Sequence, residues 1–319
     1  YYMQAHPAWV KAFNDAKPAD RFFKSTWSPL LPEAAYARSG ADDRPWYSKG
    51  GKLPKIIGEG QDRPGAAFYG SLLPSPFGDA LTLDFARAAI AGESLGQDDN
   101  PDILTISLSS HDYINHAYGA ESRLSHDHLL QLDRMLQSFF ADLDATVGKD
   151  NYIAMLTADH GFMPAPEVSA QLGLASGRVN GAQVLARVNA GLEKNYGPGK
   201  WVSYSGASLL LNRQLMAQKQ VNADALADDA RSLLLKETGF AAAFTRKELR
   251  SDSRAGAPHF EQMRNSWHAD VSGDVQFILK PYWMFASGTT VTTHGYPYPI
   301  DTHLPLTISG PPWVTHTRV

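Results

Sequence analysis

Asp112 and His116 stand four residues apart in Ser110-His111-Asp112-Tyr113-Ile114-Asn115-His116. A helix beginning after Ser109 turns both side chains to one face, where a carboxylate oxygen and an imidazole nitrogen can reach one ion. Oxygen with imidazole suits zinc, manganese or iron better than calcium, which prefers oxygen alone. By itself the spacing is also that of an aspartate capping a helix. A second pair, Asp159-His160, is adjacent in sequence. Neighbours in a straight strand face opposite ways, so these two serve one site only where the chain turns, and Gly161 directly after them permits a turn. Alone, the pair is equally a charged strand end. His294-Gly295, between Thr292-Thr293 and Tyr296-Pro297, adds a third cluster. Asp112, His116 and His294 suffice to hold a zinc and leave a position open for substrate, and Asp159 with His160 makes a partial second set. The coincidence of the three clusters points to a metal-site enzyme.

The elements around these residues fit that chemistry. Two apolar runs, Ile103 to Leu108 and Tyr152 to Thr157, each end in acidic and imidazole side chains. A helix-like segment, Ser125 to Thr146, lies between them. Strand, helix, strand with ligand-type residues after each strand describes the carboxyl edge of a parallel sheet in an α/β fold. The helical segment places Leu129, Leu132, Leu136, Phe139, Phe140 and Leu143 on a core side and His126 and His128 on the solvated side. A further helix is expected over Asp79 to Ala91, with Leu81, Phe85, Ala88 and Ala89 inward. Tyr1 to about Gly65 is irregular and anchored by aromatics such as Trp9, Trp27 and Tyr47. From Pro164 to Ser266 helices alternate with short strands, without an acid and imidazole cluster. The expected organisation is therefore a metal-site core over 1–163, an inserted subdomain over 164–266, and a return to the core over 267–319. That return ends in a strand, Leu304 to Ser309, closed by Gly310-Pro311-Pro312.

The 319 residues carry a formal net charge of −4 with no basic run, which argues against a nucleic-acid or anionic-membrane partner. The absence of cysteine excludes disulfides, thiolate zinc and a cysteine nucleophile. No apolar stretch approaches the roughly 20 residues of a membrane span. The first residues, Tyr1-Tyr2-Met3-Gln4-Ala5-His6, have neither an initiator methionine nor a signal-peptide pattern, so the chain reads as beginning in mid-protein.

Three stretches also carry a resemblance: Ser107 to Gly119, Leu156-Thr157-Ala158-Asp159-His160-Gly161, and Thr293-His294-Gly295-Tyr296-Pro297-Tyr298-Pro299 through Leu306. Supporting similarity runs through Ser75-Pro76-Phe77-Gly78, Leu83-Asp84-Phe85-Ala86 and Gly273-Asp274-Val275 to Trp283. In this order the motifs resemble the alkaline phosphatase superfamily, most closely its bacterial, secreted, zinc-dependent branch grouped with type I phosphodiesterases and nucleotide pyrophosphatases. The resemblance implies an alkaline-phosphatase-like sandwich, with a central mostly parallel sheet flanked by helices and an inserted subdomain. It implies two zinc ions, one held by Asp112, His116 and His294 and the other by Asp159 and His160. His111 and Asn115 stand where relatives usually have other residues, though at no ligand position.

The resemblance further implies hydrolysis of phosphate monoesters through a phospho-threonine or phospho-serine intermediate, and a periplasmic or secreted location. The nucleophile and a further aspartate for the second zinc are expected from an amino-terminal segment of the same enzyme, upstream of this chain, which itself contributes no catalytic nucleophile. Competing expectations are a phosphodiesterase or nucleotide pyrophosphatase with the same two metals, an inactive metal-binding fragment, and a phosphomutase of the same superfamily, for which manganese would speak.

Overall fold

Residues 3–251, 253–310 and 313–314 are described in a computed structural model. Pro311 and Pro312, expected to close the last strand, lie outside the described residues. In chain order the elements begin with helix α1 (Ala8–Asp15), strands β1 (Thr26–Trp27) and β2 (Lys55–Ile56), and helices α2 (Ala66–Leu72), α3 (Pro76–Glu93), α4 (Ser110–Tyr118) and α5 (Arg123–Leu143). Strand β3 (Ala154–Leu156), helix α6 (Pro166–Gln171), strand β4 (Gly177–Val179), helix α7 (Gly181–Tyr196) and strands β5 (Val202–Ser205) and β6 (Ser208–Leu211) follow. Then come helices α8 (Arg213–Lys219) and α9 (Ala223–Leu234), strand β7 (Phe240–Thr245) and helices α10 (Arg246–Leu249) and α11 (Phe260–Asn265). Strands β8 (Val275–Leu279) and β9 (Trp283–Phe285), helix α12 (Pro299–Thr302) and strand β10 (Thr307–Ser309) complete the order.

The chain divides into two compact units. The first holds the described residues up to Phe162, 289–293 and those from Leu304 onward. Its helices start as their sequences dictate. Pro76 opens α3 at a position where its missing N–H costs nothing, and the Ser122 hydroxyl caps α5 by accepting the Ser125 amide at 3.0 Å. One apolar cluster, Trp27, Leu53, Ile114, Tyr118 and Leu124, binds β1 to α4 and α5. A second, Leu83, Ala86, Ile90 and Phe139, packs α3 on α5, with Ile106 and Leu108 against it.

Two expectations change here. The buried face of α5 is Leu124, Ser125, Asp127, His128 and Phe139, whereas Leu129 and Phe140 are exposed. The helix is rotated because its polar residues are satisfied inside: Asp127 accepts from Trp27 Nε1 at 2.6 Å, from the Leu30 amide at 2.7 Å and from the Tyr36 hydroxyl. The placement of His128 on the solvated side is thereby corrected. Second, the run from Ile103 to Leu108 forms no strand and enters no ladder among the described residues. The parallel pairing expected of it with the later run is not formed. Instead β3 pairs antiparallel with β10, Met155 opposite Ile308. Ile106 and Leu108 face the α3 and α5 cluster, but Ile103 is 91% exposed.

The second unit comprises Met163–Gly288 and His294–His303. It is built on a four-stranded antiparallel sheet, β5-β6-β8-β7, with β4 and β9 paired parallel beside it in the fold of the same unit. Val184, Val188 and Leu192 of α7 and Leu226, Ala230 and Leu234 of α9 pack on Leu209, Phe240, Phe277 and Leu279. Helices α7, α8 and α9 each start on an asparagine, Asn180, Asn212 and Asn222, whose side chain accepts the amide three residues on. The result is an α/β protein, in keeping with the class expected from sequence.

Candidate metal centre

Helix α4 begins just after the run from Ile103 to Leu108 and ends at Gly119, whose φ of 91° is a left-handed conformation that glycine adopts without strain. A Cβ there would also press on the carboxylate of Glu121. On the helix, Asp112 and His116 are one turn apart and share a face, as their spacing predicts: His116 Nε2 lies 3.5 Å from Asp112 Oδ1. The turn after β3 brings His160 to the same place, its Nε2 3.7 Å from Asp112 Oδ1 and 3.6 Å from Asp159 Oδ2. Phe162 sets its ring against both imidazoles, 4.9 Å from His116 and 5.9 Å from His160 between centroids. The first unit thus gathers Asp112, His116, Asp159 and His160. Asp112, His116 and His160 are each about a quarter to a third exposed, and Asp159 is 90% exposed.

The hydrogen bonds of the two rings decide which nitrogen faces the carboxylates. His116 Nδ1 lies 2.8 Å from the Thr292 carbonyl, which only accepts, so Nδ1 carries the proton in the neutral ring and Nε2 the lone pair. His160 Nδ1 lies 3.0 Å from the Gly161 carbonyl, and the same assignment follows. Each Nε2 therefore presents a lone pair toward carboxylate oxygen at a separation too long for a strong hydrogen bond. Two ligand atoms on one tetrahedral zinc, each at roughly 2.0–2.1 Å, stand about 3.4 Å apart. The donor set and its spacing fit a small divalent cation. An imidazole whose second nitrogen is held by a carbonyl is also the usual way a metal ligand is oriented.

His294 belongs to the second unit. Its loop is fixed there: Asp301 accepts the Tyr296 amide at 2.8 Å, the Tyr298 hydroxyl donates to the Leu279 carbonyl at 2.7 Å, and Gly295 turns the chain at a φ of 101°. The preceding segment, 289–293, belongs to the first unit, where the Val291 amide donates to the His116 carbonyl at 2.7 Å.

Sequence reasoning passed over a second cluster, shared by α3, α4 and α5. His128 is completely buried, with Nε2 3.0 Å from Asp79 Oδ2, and its Nδ1 is 3.2 Å from His111 Nδ1. Burial, and then the neighbouring His128 ring, push His111 down to about 4 against the pull of Asp79, so His111 is a neutral imidazole near neutral pH. The signal available in the sequence was positional. His128 falls one turn after Leu124 and seven residues before Met135, on the line of residues that includes Phe139.

A profile of the type I phosphodiesterase / nucleotide pyrophosphatase family matches residues 2–297. A protein of Myroides odoratus named as a calcium-transporting ATPase is 34% identical over 97% of this chain and 58% of its own length. Alkaline phosphatase PhoV of Synechococcus elongatus is 32% identical over 97% of this chain and 56% of its own. Alkaline phosphatase PafA of Elizabethkingia meningoseptica is 30% identical over 97% and 57%. A crystal structure of wild-type alkaline phosphatase PafA superposes with a TM-score of 0.85 at 30% identity, covering 97% of this chain and 59% of that one. The chain belongs to the alkaline phosphatase superfamily, in its type I phosphodiesterase / nucleotide pyrophosphatase branch, and has an alkaline-phosphatase-like α/β fold. It spans under three-fifths of the length of these relatives. Among the described residues no helix is long and apolar enough to cross a membrane.

Proposed function

We propose that this chain is the carboxyl portion of a zinc-dependent alkaline phosphatase acting on small phosphate monoesters. The observation that carries the reading is the facing of His116 Nε2 and Asp112 Oδ1 across 3.5 Å, with the other ring nitrogen tied to Thr292. In this reading Asp112, His116 and His294 hold one zinc, and Asp159 and His160 contribute to a second. Asp112 Oδ1, between the two imidazoles, is the natural link between the two ligand sets. When bound, the ions supply positive charge for the phosphoryl oxygens and lower the pKa of an attacking hydroxyl or water. The chain's own contribution is positional. The Thr292 and Gly161 carbonyls fix the rings, and Phe162 walls both with an apolar face.

No catalytic nucleophile is assigned within these 319 residues. The threonine or serine that takes the phosphoryl group, and the remaining ligand of the second zinc, are assigned to an amino-terminal segment of the same enzyme. The reading is supported by the share of the relatives' length that the chain spans and by the exposed, unladdered run at Ile103. Residues 164–266 are read as an insertion in the core, and a periplasmic or secreted location rests on family likeness alone.

A second reading, phosphodiester or nucleotide pyrophosphate hydrolysis at the same metals, is favoured by the name of the matching family. Zinc content of the complete enzyme, with rates on p-nitrophenyl phosphate and bis(p-nitrophenyl) phosphate, tests both. Two zincs and faster monoester turnover support the first reading, and faster diester turnover replaces it with the second. Turnover that survives exhaustive chelation overturns the metal site in either, and metal uptake with no turnover by the complete enzyme would reduce the protein to a metal-binding one.

A further inference from the structure

The carboxylate of Asp79 is 1% exposed, and its two oxygens have separate tasks. Oδ1 accepts the main-chain amide of Ser110 at 3.0 Å, and Oδ2 lies 3.0 Å from His128 Nε2. Ser110 is the first residue of α4, and Ser109 before it makes no side-chain cap. One orphan amide of the helix that carries Asp112 and His116 is therefore satisfied from α3, by a group whose negative charge suits a helix amino terminus. The close approach this needs depends on Gly78. A Cβ there would collide with the Ser110 hydroxyl and stand 2.8 Å from the Leu72 carbonyl.

From Asp79 the hydrogen bonds run back to α4. An ionised carboxylate only accepts, so His128 Nε2 carries a proton; with one proton on that ring its Nδ1 accepts, and His111 Nδ1 donates across 3.2 Å. The two rings stack with 25° between planes and 5.2 Å between centroids. His111 is the residue directly before Asp112, so the first turn of α4 is held at two points, the Ser110 amide and the His111 ring, by one buried anion.

We propose that Asp79 and His128 are positioning residues for the metal-binding helix: they fix the first turn of α4, and hence the carboxylate of Asp112, and hold His111 with its proton on Nδ1. The proposal rests on Asp112 and His116 being metal ligands. It reaches beyond them to a pair of side chains that touch neither metal nor substrate.

The test uses the complete enzyme and two readouts. In the metal-free wild type, histidine nitrogen NMR should show His128 protonated at Nε2 and His111 at Nδ1. In Asp79→Asn the amide keeps its oxygen on Ser110 and donates to His128 Nε2, so both tautomers should reverse. Zinc affinity of that variant should fall about ten- to a hundredfold. His128→Leu should lose affinity similarly. His128→Gln should restore it, because its amide gives a proton to Asp79 and takes one from His111. Should Asp79→Asn fail to fold, the comparison of Leu with Gln at position 128 still decides. Unchanged zinc affinity in His128→Leu, or no recovery in His128→Gln, overturns the proposal while His116→Ala still loses zinc. If His116→Ala also binds zinc normally, the underlying metal reading falls, and the proposal with it.

Discussion

His116 Nδ1 donates to the carbonyl of Thr292 across 2.8 Å, and Thr292 is fully buried, so the ring cannot turn without abandoning a sheltered hydrogen bond. If His116 binds zinc as proposed, a ligand oriented in this way is hard to replace. In the complete enzyme, His116→Ala should lower bound zinc by about one equivalent and phosphatase rate by roughly a hundredfold or more. Metal analysis beside steady-state kinetics measures both, and full zinc occupancy in the variant would refute the assignment.

His294 lies in a loop held by Asp301 and Tyr298. His294→Ala should therefore remove a zinc while shifting unfolding free energy by less than about 1 kcal/mol. Denaturant titration of metal-free protein, paired with zinc analysis, separates the two effects. Retention of both metal and activity would exclude His294 as a ligand.

Asp127 is completely buried and accepts from Trp27, Leu30 and Tyr36. Asp127→Ala leaves those donors without their acceptor and should cost about 3–5 kcal/mol. Urea unfolding measures it; a loss below about 1 kcal/mol would mean that water replaces the carboxylate.

Alkaline stability depends in part on Tyr196. Burial first, and then its hydrogen bond to Asp229 at 2.8 Å, push the phenol up to about 12 from an ordinary 10.0. The folded state keeps this proton where the unfolded chain has lost it. The stabilisation is full below about pH 10 and disappears as pH rises through about 12. Tyr196→Phe should flatten that part of the stability profile, as fluorescence-monitored unfolding between those pH values would reveal. An unaltered slope would mean that other groups cause it.

Much of the candidate centre was legible because its physics is local. A spacing of four on a helix puts Asp112 and His116 on one face wherever that helix packs, and a glycine after Asp159-His160 permits the turn that brings the pair together. The buried side of α5 was not legible in the same way. Apolar periodicity singled out Leu129 and Phe140, yet the helix turns Asp127 and His128 inward because partners distant in sequence, Trp27, Tyr36 and Asp79, satisfy them. A pattern that scores polar residues as outward cannot anticipate such partners. The same limit applied to Ile103 through Leu108: its composition predicted a strand, but a ladder requires a neighbour, and composition does not supply one.

That unladdered run also governs how the polypeptide behaves in a test tube. Ile103 is 91% exposed, Met155 65%, Leu306 61% and Ile308 43%. The unladdered backbone at Ile103 and the exposed side chains of β3 and β10 offer apolar surface to any strand that meets them, including another copy of the chain. Expressed as these 319 residues alone, the protein should therefore be colloidally fragile, with refolding yield falling as concentration rises.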